Sequence, residues 1–109
     1  MEVRPRRVEK YVREDGSCPY DEWFSGLTDL RAKAQIDKRI ARLRLGLLGE
    51  WDNVGDGVIE LIFKSTGPGY RIYCGPDGLD LVILLGGGVK SGQQSDIDRA
   101  RKCWQDYNE

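Results

Sequence analysis

In the stretch YRIYCGPDGLDLVILLGGGVK, residues 70–90, an arginine and a lysine are spaced so that two neighbouring strands can present both to one anion. The pattern predicts a strand over Tyr70–Cys74. Arg71 and Tyr73 share one face and Tyr70, Ile72 and Cys74 the other, because side chains change face at every residue. Gly75–Gly78 then reads as a turn. Leu79–Leu85 is almost all apolar, as in a central strand covered on both sides. It runs into Gly86, Gly87 and Gly88, which read as a glycine-rich loop leading to Val89 and Lys90. Arg71 on a strand face and Lys90 in such a loop suit a bound phosphate. The competing reading is two solvated surface charges.

Composition limits what can be done to that phosphate. The sequence has no histidine, which removes the usual general base at neutral pH. Its three cysteines, Cys18, Cys74 and Cys103, form no Cys-x-x-Cys pair. No metal site and no cofactor are therefore expected, and reduced thiols in a cytoplasmic protein are the simplest reading. Any catalysis falls to Lys, Arg, Tyr, carboxylate or backbone groups. The net charge of −1 comes from 17 basic and 18 acidic residues. A dedicated nucleic-acid binder is usually clearly basic, although local distribution outweighs the sum.

The elements that must position these residues follow from periodicity. Arg6–Arg13 reads as a first strand, closed by a turn at Asp15–Ser17. Cys18–Ser25 reads as a short helix: Pro19 is tolerated in its first turn, and Asp21 and Glu22 suit its positive end. Thr28 or Asp29 can cap a longer helix to about Leu48. Its expected buried stripe is Leu30, Ala34, Ile40, Leu43 and Leu47, with Ala41 and Leu48 beside them. Arg31, Lys38, Arg42 and Arg44 lie largely off that stripe. Such a basic face can meet nucleic acid or an acidic partner, or simply be solvated. Glu50–Gly57 reads as a loop, Val58–Lys64 as a strand and Ser65–Gly69 as a turn, so that three consecutive strands form a meander. Ser95 with Asp98 three residues on resembles a capping box. The final helix it would open has Ile97, Ala100, Trp104 and Tyr107 as its apolar stripe.

A chain of 109 residues is by default one domain, 1–109. No apolar run approaches the roughly 20 residues of a membrane span. The opening MEVRPRRVEKYV lacks the apolar centre of a signal peptide. Cytoplasmic localisation without a membrane partner is expected. The expected fold class is α+β: a mainly antiparallel sheet of about four strands with two N-terminal helices and a C-terminal helix.

That order, with the residues filling it, resembles the RelE/ParE superfamily of bacterial toxins. The closer resemblance is to its HigB-like, phage-derived branch of addiction-module killer proteins. The residues that carry it are Pro19–Trp23 (PYDEW), Val58–Leu61 (VIEL), Gly69–Tyr73 (GYRIY), Leu84–Gln94 (LLGGGVKSGQQ) and Asp96–Trp104 (DIDRARKCW). The resemblance implies a RelE-like fold and a toxin neutralised by a cognate antitoxin, commonly a helix-turn-helix protein. RelE-like and HigB-like members cleave mRNA on the ribosome. ParE-like members bind DNA gyrase and cleave nothing. A third alternative is an inactive member that only binds its antitoxin. The fold does not choose among these.

The resemblance also implies site residues. Arg71 matches the strand arginine that contacts the scissile phosphate in nuclease members. Lys90 matches the first basic residue of the loop after the last strand, and Ser91 stands where many relatives carry a second. Lys64 supplies the basic residue of the preceding strand. The C-terminal catalytic tyrosine of some members has no match, since Gln93 and Gln94 occupy that region, and Tyr73 is the candidate stand-in. A metal-free ribonuclease must activate a 2′-hydroxyl, stabilise the phosphorane and protonate the leaving oxygen. Arg71 and Lys90 suit the second task, which is often the largest contribution. Glu60 is expected to pair with Arg71 or Lys64 across strands.

Overall fold

The computed structural model describes residues 3–64 and 67–109. Ser65 and Thr66, the start of the expected turn, lie outside the described residues. Alternation along the strands divides the apolar side chains between two sheet faces. The strands are β1 (Arg7–Lys10), β2 (Trp51–Gly55), β3 (Val58–Ile62), β4 (Tyr70–Asp77) and β5 (Leu81–Val89). They form one five-stranded mixed sheet in the order β1-β5-β4-β3-β2. β1 runs parallel to β5, and the other neighbours are antiparallel. The helices are α1 (Pro19–Ser25), α2 (Leu30–Arg44) and α3 (Gln93–Tyr107).

On one face Ile59, Leu61, Ile72 and Leu84 pack against Tyr20 of α1 and against Ile36, Ile40 and Leu43 of α2. On the other, Val58, Tyr73, Ile83 and Leu85 pack against Ile97, Ala100 and Trp104 of α3. The sheet is thus covered on both sides, and the architecture is α+β. Among the described residues, no helix is long and apolar enough to cross a membrane.

Several expected elements shift. Trp51–Gly55 is a strand, not part of a loop, and it makes five strands rather than about four. It is joined to β3 by Asp56 and Gly57, both with positive φ (58° and 87°). Asp-Gly is the preferred two-residue hairpin turn, because its backbone twist matches that of the flanking strands. The three glycines Gly86–Gly88 lie inside β5, paired with Tyr73, Ile72 and Arg71, rather than in a loop. A Cβ on Gly87 would strike the Trp23 ring, and one on Gly88 the Asp96 carboxylate. Glycine therefore lets α1 and α3 close over a paired strand.

α2 ends at Arg44, and Gly46 turns the chain with φ +87°. Its buried stripe is Ala32, Ile36, Ile40 and Leu43, an i, i+4, i+8, i+11 series. Leu30 (80% exposed) and Leu47 (48%) fall outside it, as do the exposed Ala34 and Ala41. The cap is Asp29, which accepts from the amides of Arg31 and Ala32 at 3.0 and 3.2 Å. The capping box expected at Ser95 does not form. α3 begins two residues earlier behind a 3₁₀ turn, Lys90–Gly92, and the Ser95 hydroxyl donates to the Gly92 carbonyl at 3.2 Å.

A Cβ on Gly75 would collide with the buried Trp104 ring, whereas one on Gly67 meets nothing within 4 Å. Gly75→Ala is expected to cost roughly 1–3 kcal/mol by overpacking, read from denaturant midpoints. Gly67→Ala is the matched control and should leave the midpoint in place.

Candidate functional site

Antiparallel pairing sets the centre of the site. Glu60 of β3 stands opposite Tyr73 of β4, and Ile62 opposite Arg71, so Arg71 lies on the diagonal from Glu60 on the α3 face. Glu60 is 2% exposed. A buried carboxylate is costly unless donors surround it. The Gln93 side-chain amide, at the start of α3, donates to Oε2 at 2.8 Å and to Oε1 at 3.1 Å. Arg71 Nε lies 3.7 Å from Oε1, close enough for an ion pair but long for a hydrogen bond. Glu60 therefore pairs with Arg71 and not with Lys64, whose ammonium is 3.2 Å from Glu50.

The Arg71 side chain is 12% exposed. It is held from behind by Glu60 and reaches an open cleft of about 470 Å³ lined by Lys64, Lys90, Glu50 and Gly67–Gly69. Lys90 is fixed through its backbone: its amide donates to the Pro68 carbonyl at 3.2 Å. Gly69, at φ +74°, would place a Cβ 3.1 Å from the Lys90 Cβ, so the close approach favours glycine. Among the described residues Lys90 has no ion-pair partner. Three cations against the carboxylates of Glu50 and Glu60 leave the cleft one positive charge in excess, which suits an anion.

Of the residues expected to act, Arg71, Lys90 and Lys64 line this one cleft. Tyr73 does not line it. Although on the face of Arg71, it is 1% exposed and packed with Trp104 and Ile97 beneath α3. Its hydroxyl makes no hydrogen bond of ordinary geometry. Burial, reinforced by the neighbouring Glu60 carboxylate, raises its pKa above the usual phenol range. Burial likewise pushes the Cys74 thiol up to about 12, which makes it a core side chain rather than a nucleophile.

Two contributors are not among the expected site residues, although Gln93 falls in the segment that carries the resemblance. Gln93 is placed by the 3₁₀ turn that precedes α3, and Glu50 by the Arg39 Nη2, which donates to its carbonyl at 2.6 Å. Among the described residues no group of three or more Cys, Asp or Glu side chains is arranged to hold a metal ion.

Fold and cleft together define an α+β protein with a cation-lined depression at the end of its central strands. The chain is similar to an uncharacterized protein of Haemophilus influenzae, 46% identical over 87 residues that cover 80% of this chain and 87% of that protein. It belongs to the same family as that protein. No protein-family model matches the chain, and no solved structure matches it.

Gln93→Ala leaves the buried Glu60 carboxylate short of its two shortest bonds. The expected loss is about 1–3 kcal/mol in denaturant unfolding. Lys64→Ala removes a lysine that is 74% exposed, and the expected change is within about 0.5 kcal/mol, as is usual for surface pairs. Equal effects of the two substitutions would overturn this account of the site.

Proposed function

We propose that this chain is the toxin of a toxin–antitoxin pair, of the RelE/ParE type and its HigB-like branch, and that it acts on the phosphate backbone of mRNA at the ribosome. The observation that carries the reading is the convergence of Arg71, Lys64 and Lys90, from β4, the end of β3 and the turn after β5, on one open cleft. Arg71 is the anchor. Its Nε lies 3.7 Å from the buried Glu60 and its Nη1 donates to the Tyr70 carbonyl at 3.4 Å, which holds the guanidinium in place and leaves Nη2 to donate to a phosphate. Lys90 and Lys64 add charge where a phosphorane would gather it.

A second reading has its own observation. Tyr73 is sealed beneath α3, and no histidine exists to replace it, so neither a phenol nor an imidazole serves the cleft as general acid or base. Such a cleft can bind without cleaving. A toxin that occupies a protein such as DNA gyrase, or a member that only engages its antitoxin, fits that chemistry. In each case the constant partner is an antitoxin protein.

Induction of the lone chain in bacteria is expected to arrest growth and to generate new, translation-dependent 5′ ends in mRNA. Arg71→Ala should abolish both while the purified variant keeps its cooperative thermal unfolding. Arrest with intact mRNA would shift the assignment to the non-cleaving reading, and no arrest would remove toxicity from it. A folded Arg71→Ala variant of undiminished toxicity would overturn the assigned site.

A further inference from the structure

α2 carries Arg31, Lys33, Lys38, Arg39, Arg42 and Arg44 against a single acidic residue, Asp37. None of these six cations forms an ion pair with a carboxylate among the described residues. Elsewhere pairing is common: Arg4 with Asp80, Lys10 with Asp21, Arg13 with Glu22 and Arg101 with Asp56. In a chain of net charge −1, the uncompensated positive charge is concentrated on this helix. Arg31, Gln35, Lys38 and Arg42 follow one another at helical spacing, so they form a stripe about 16 Å long at 1.5 Å per residue.

That stripe is tied to the cleft. Arg39 reaches across from α2 and donates to the carbonyls of Ile62 at 2.8 Å, Leu48 at 2.7 Å and Glu50 at 2.6 Å. Its guanidinium lies over the Phe63 ring, 4.9 Å from the centroid. Beside it is a second cleft of about 370 Å³, lined by Gln35, Lys38, Arg39 and Arg42 together with Glu50, Ile62, Phe63 and Lys64. Those last four residues also line the Arg71–Lys90 cleft. The two depressions therefore share a wall, and Lys64 stands between them.

We propose that Lys38 and Arg42 form a second phosphate subsite, holding the backbone of the same single-stranded RNA whose phosphodiester lies at Arg71 and Lys90. The inference rests on the RNA reading of the first cleft. Repeated, evenly charged phosphates match a band of cations that runs from Lys38 and Arg42, which have no carboxylate partner among the described residues, past Lys64, paired with Glu50, to Arg71 and Lys90. An acidic peptide would meet the same charge, but among the described residues that line the second cleft only Ile62 and Phe63 are apolar, which leaves little within it to seat such a peptide's apolar residues.

The test is equilibrium binding of a labelled 2′-O-methyl oligoribonucleotide, which has no 2′-hydroxyl to attack, over a range of salt concentrations. A strand long enough to span both clefts is compared with a trinucleotide. Lys38→Ala/Arg42→Ala should make the salt slope for the long strand shallower by about 1.4, from two lost contacts at about 0.7 each, and weaken low-salt binding on the order of tenfold. Trinucleotide binding should be unchanged. Lys102→Ala, at an exposed residue of α3 outside both clefts, is the control and should alter neither. An unchanged slope for the long strand in the double variant, with binding still lost in Arg71→Ala, would overturn the second subsite while leaving the first. Absence of RNA binding in the unaltered protein would overturn both. A double variant that binds RNA normally but no longer binds a poly-glutamate peptide would mark the stripe as a peptide dock instead.

Discussion

A strand covered on both faces has no side left for water, and the pairing of β4 with β5 is held to that constraint almost from end to end. Everything on either strand must be apolar, very small or internally satisfied. Leu81–Leu85 meets it with aliphatic side chains, and Gly86–Gly88 with the absence of any. The glycine run is where α1 and α3 press closest, Trp23 from one face and Asp96 from the other. The same pairing carries Arg71 to the sheet end, places Gly88 beside it and delivers Lys90 to the cleft rim. A register slip of one residue would turn Arg71 into the α1–α2 core and Ile72 toward α3.

Among the described residues, Glu60 is the one fully buried acidic side chain. It is retained because its charge is answered twice, by the Gln93 amide and by the Arg71 guanidinium. Replacing a buried ion pair by apolar residues is often neutral or stabilising, so such a pair is weak evidence for a stability role. Its consequence here is orientation: Glu60 stands beside Nε, the Tyr70 carbonyl accepts from Nη1, and the side chain reaches the cleft. The contrast with Lys64 and Glu50 is one of dielectric. That pair stands in solvent, where attraction is weak and both side chains can rearrange around an incoming anion.

Charge is also distributed unevenly at the scale of the molecule. The net value near neutrality conceals a helix whose cations lack acidic partners among the described residues, while the segment before α2, together with α3, carries most of the ion pairs. A sum over composition cannot report this, because the field at a surface depends on which charges have a counter-charge within a few ångströms. The α2 stripe and the Arg71 cleft each have the sign that an anion requires, and Arg39 makes them adjoin by bonding to three carbonyls of the intervening chain.

The sequence by itself determined the α+β class, the short helix behind Pro19, the faces of β3 and β4 and the α3 stripe of Ile97, Ala100 and Trp104. Each rests on local periodicity, which the chain expresses whatever its neighbours do. It also singled out Arg71, Lys64 and Lys90. The strand at Trp51–Gly55 is not legible locally because WDNVG has little β character and is held by its pairing with β3; the following Asp-Gly is the one local signal. The phase of α2 is not legible in the sequence for a related reason. Leucines flank both ends of the helix, and only contact with the sheet decides that Ala32 and Ile36, not Leu30 and Leu47, face inward. Tertiary structure alone decided that Gly86–Gly88 form a strand, that Tyr73 is sealed beneath α3, and that Gln93 and Glu50 flank the site. Glycine permits many conformations and a long-range partner selects one. Burial of a side chain, likewise, depends on what is packed over it rather than on its place in the chain.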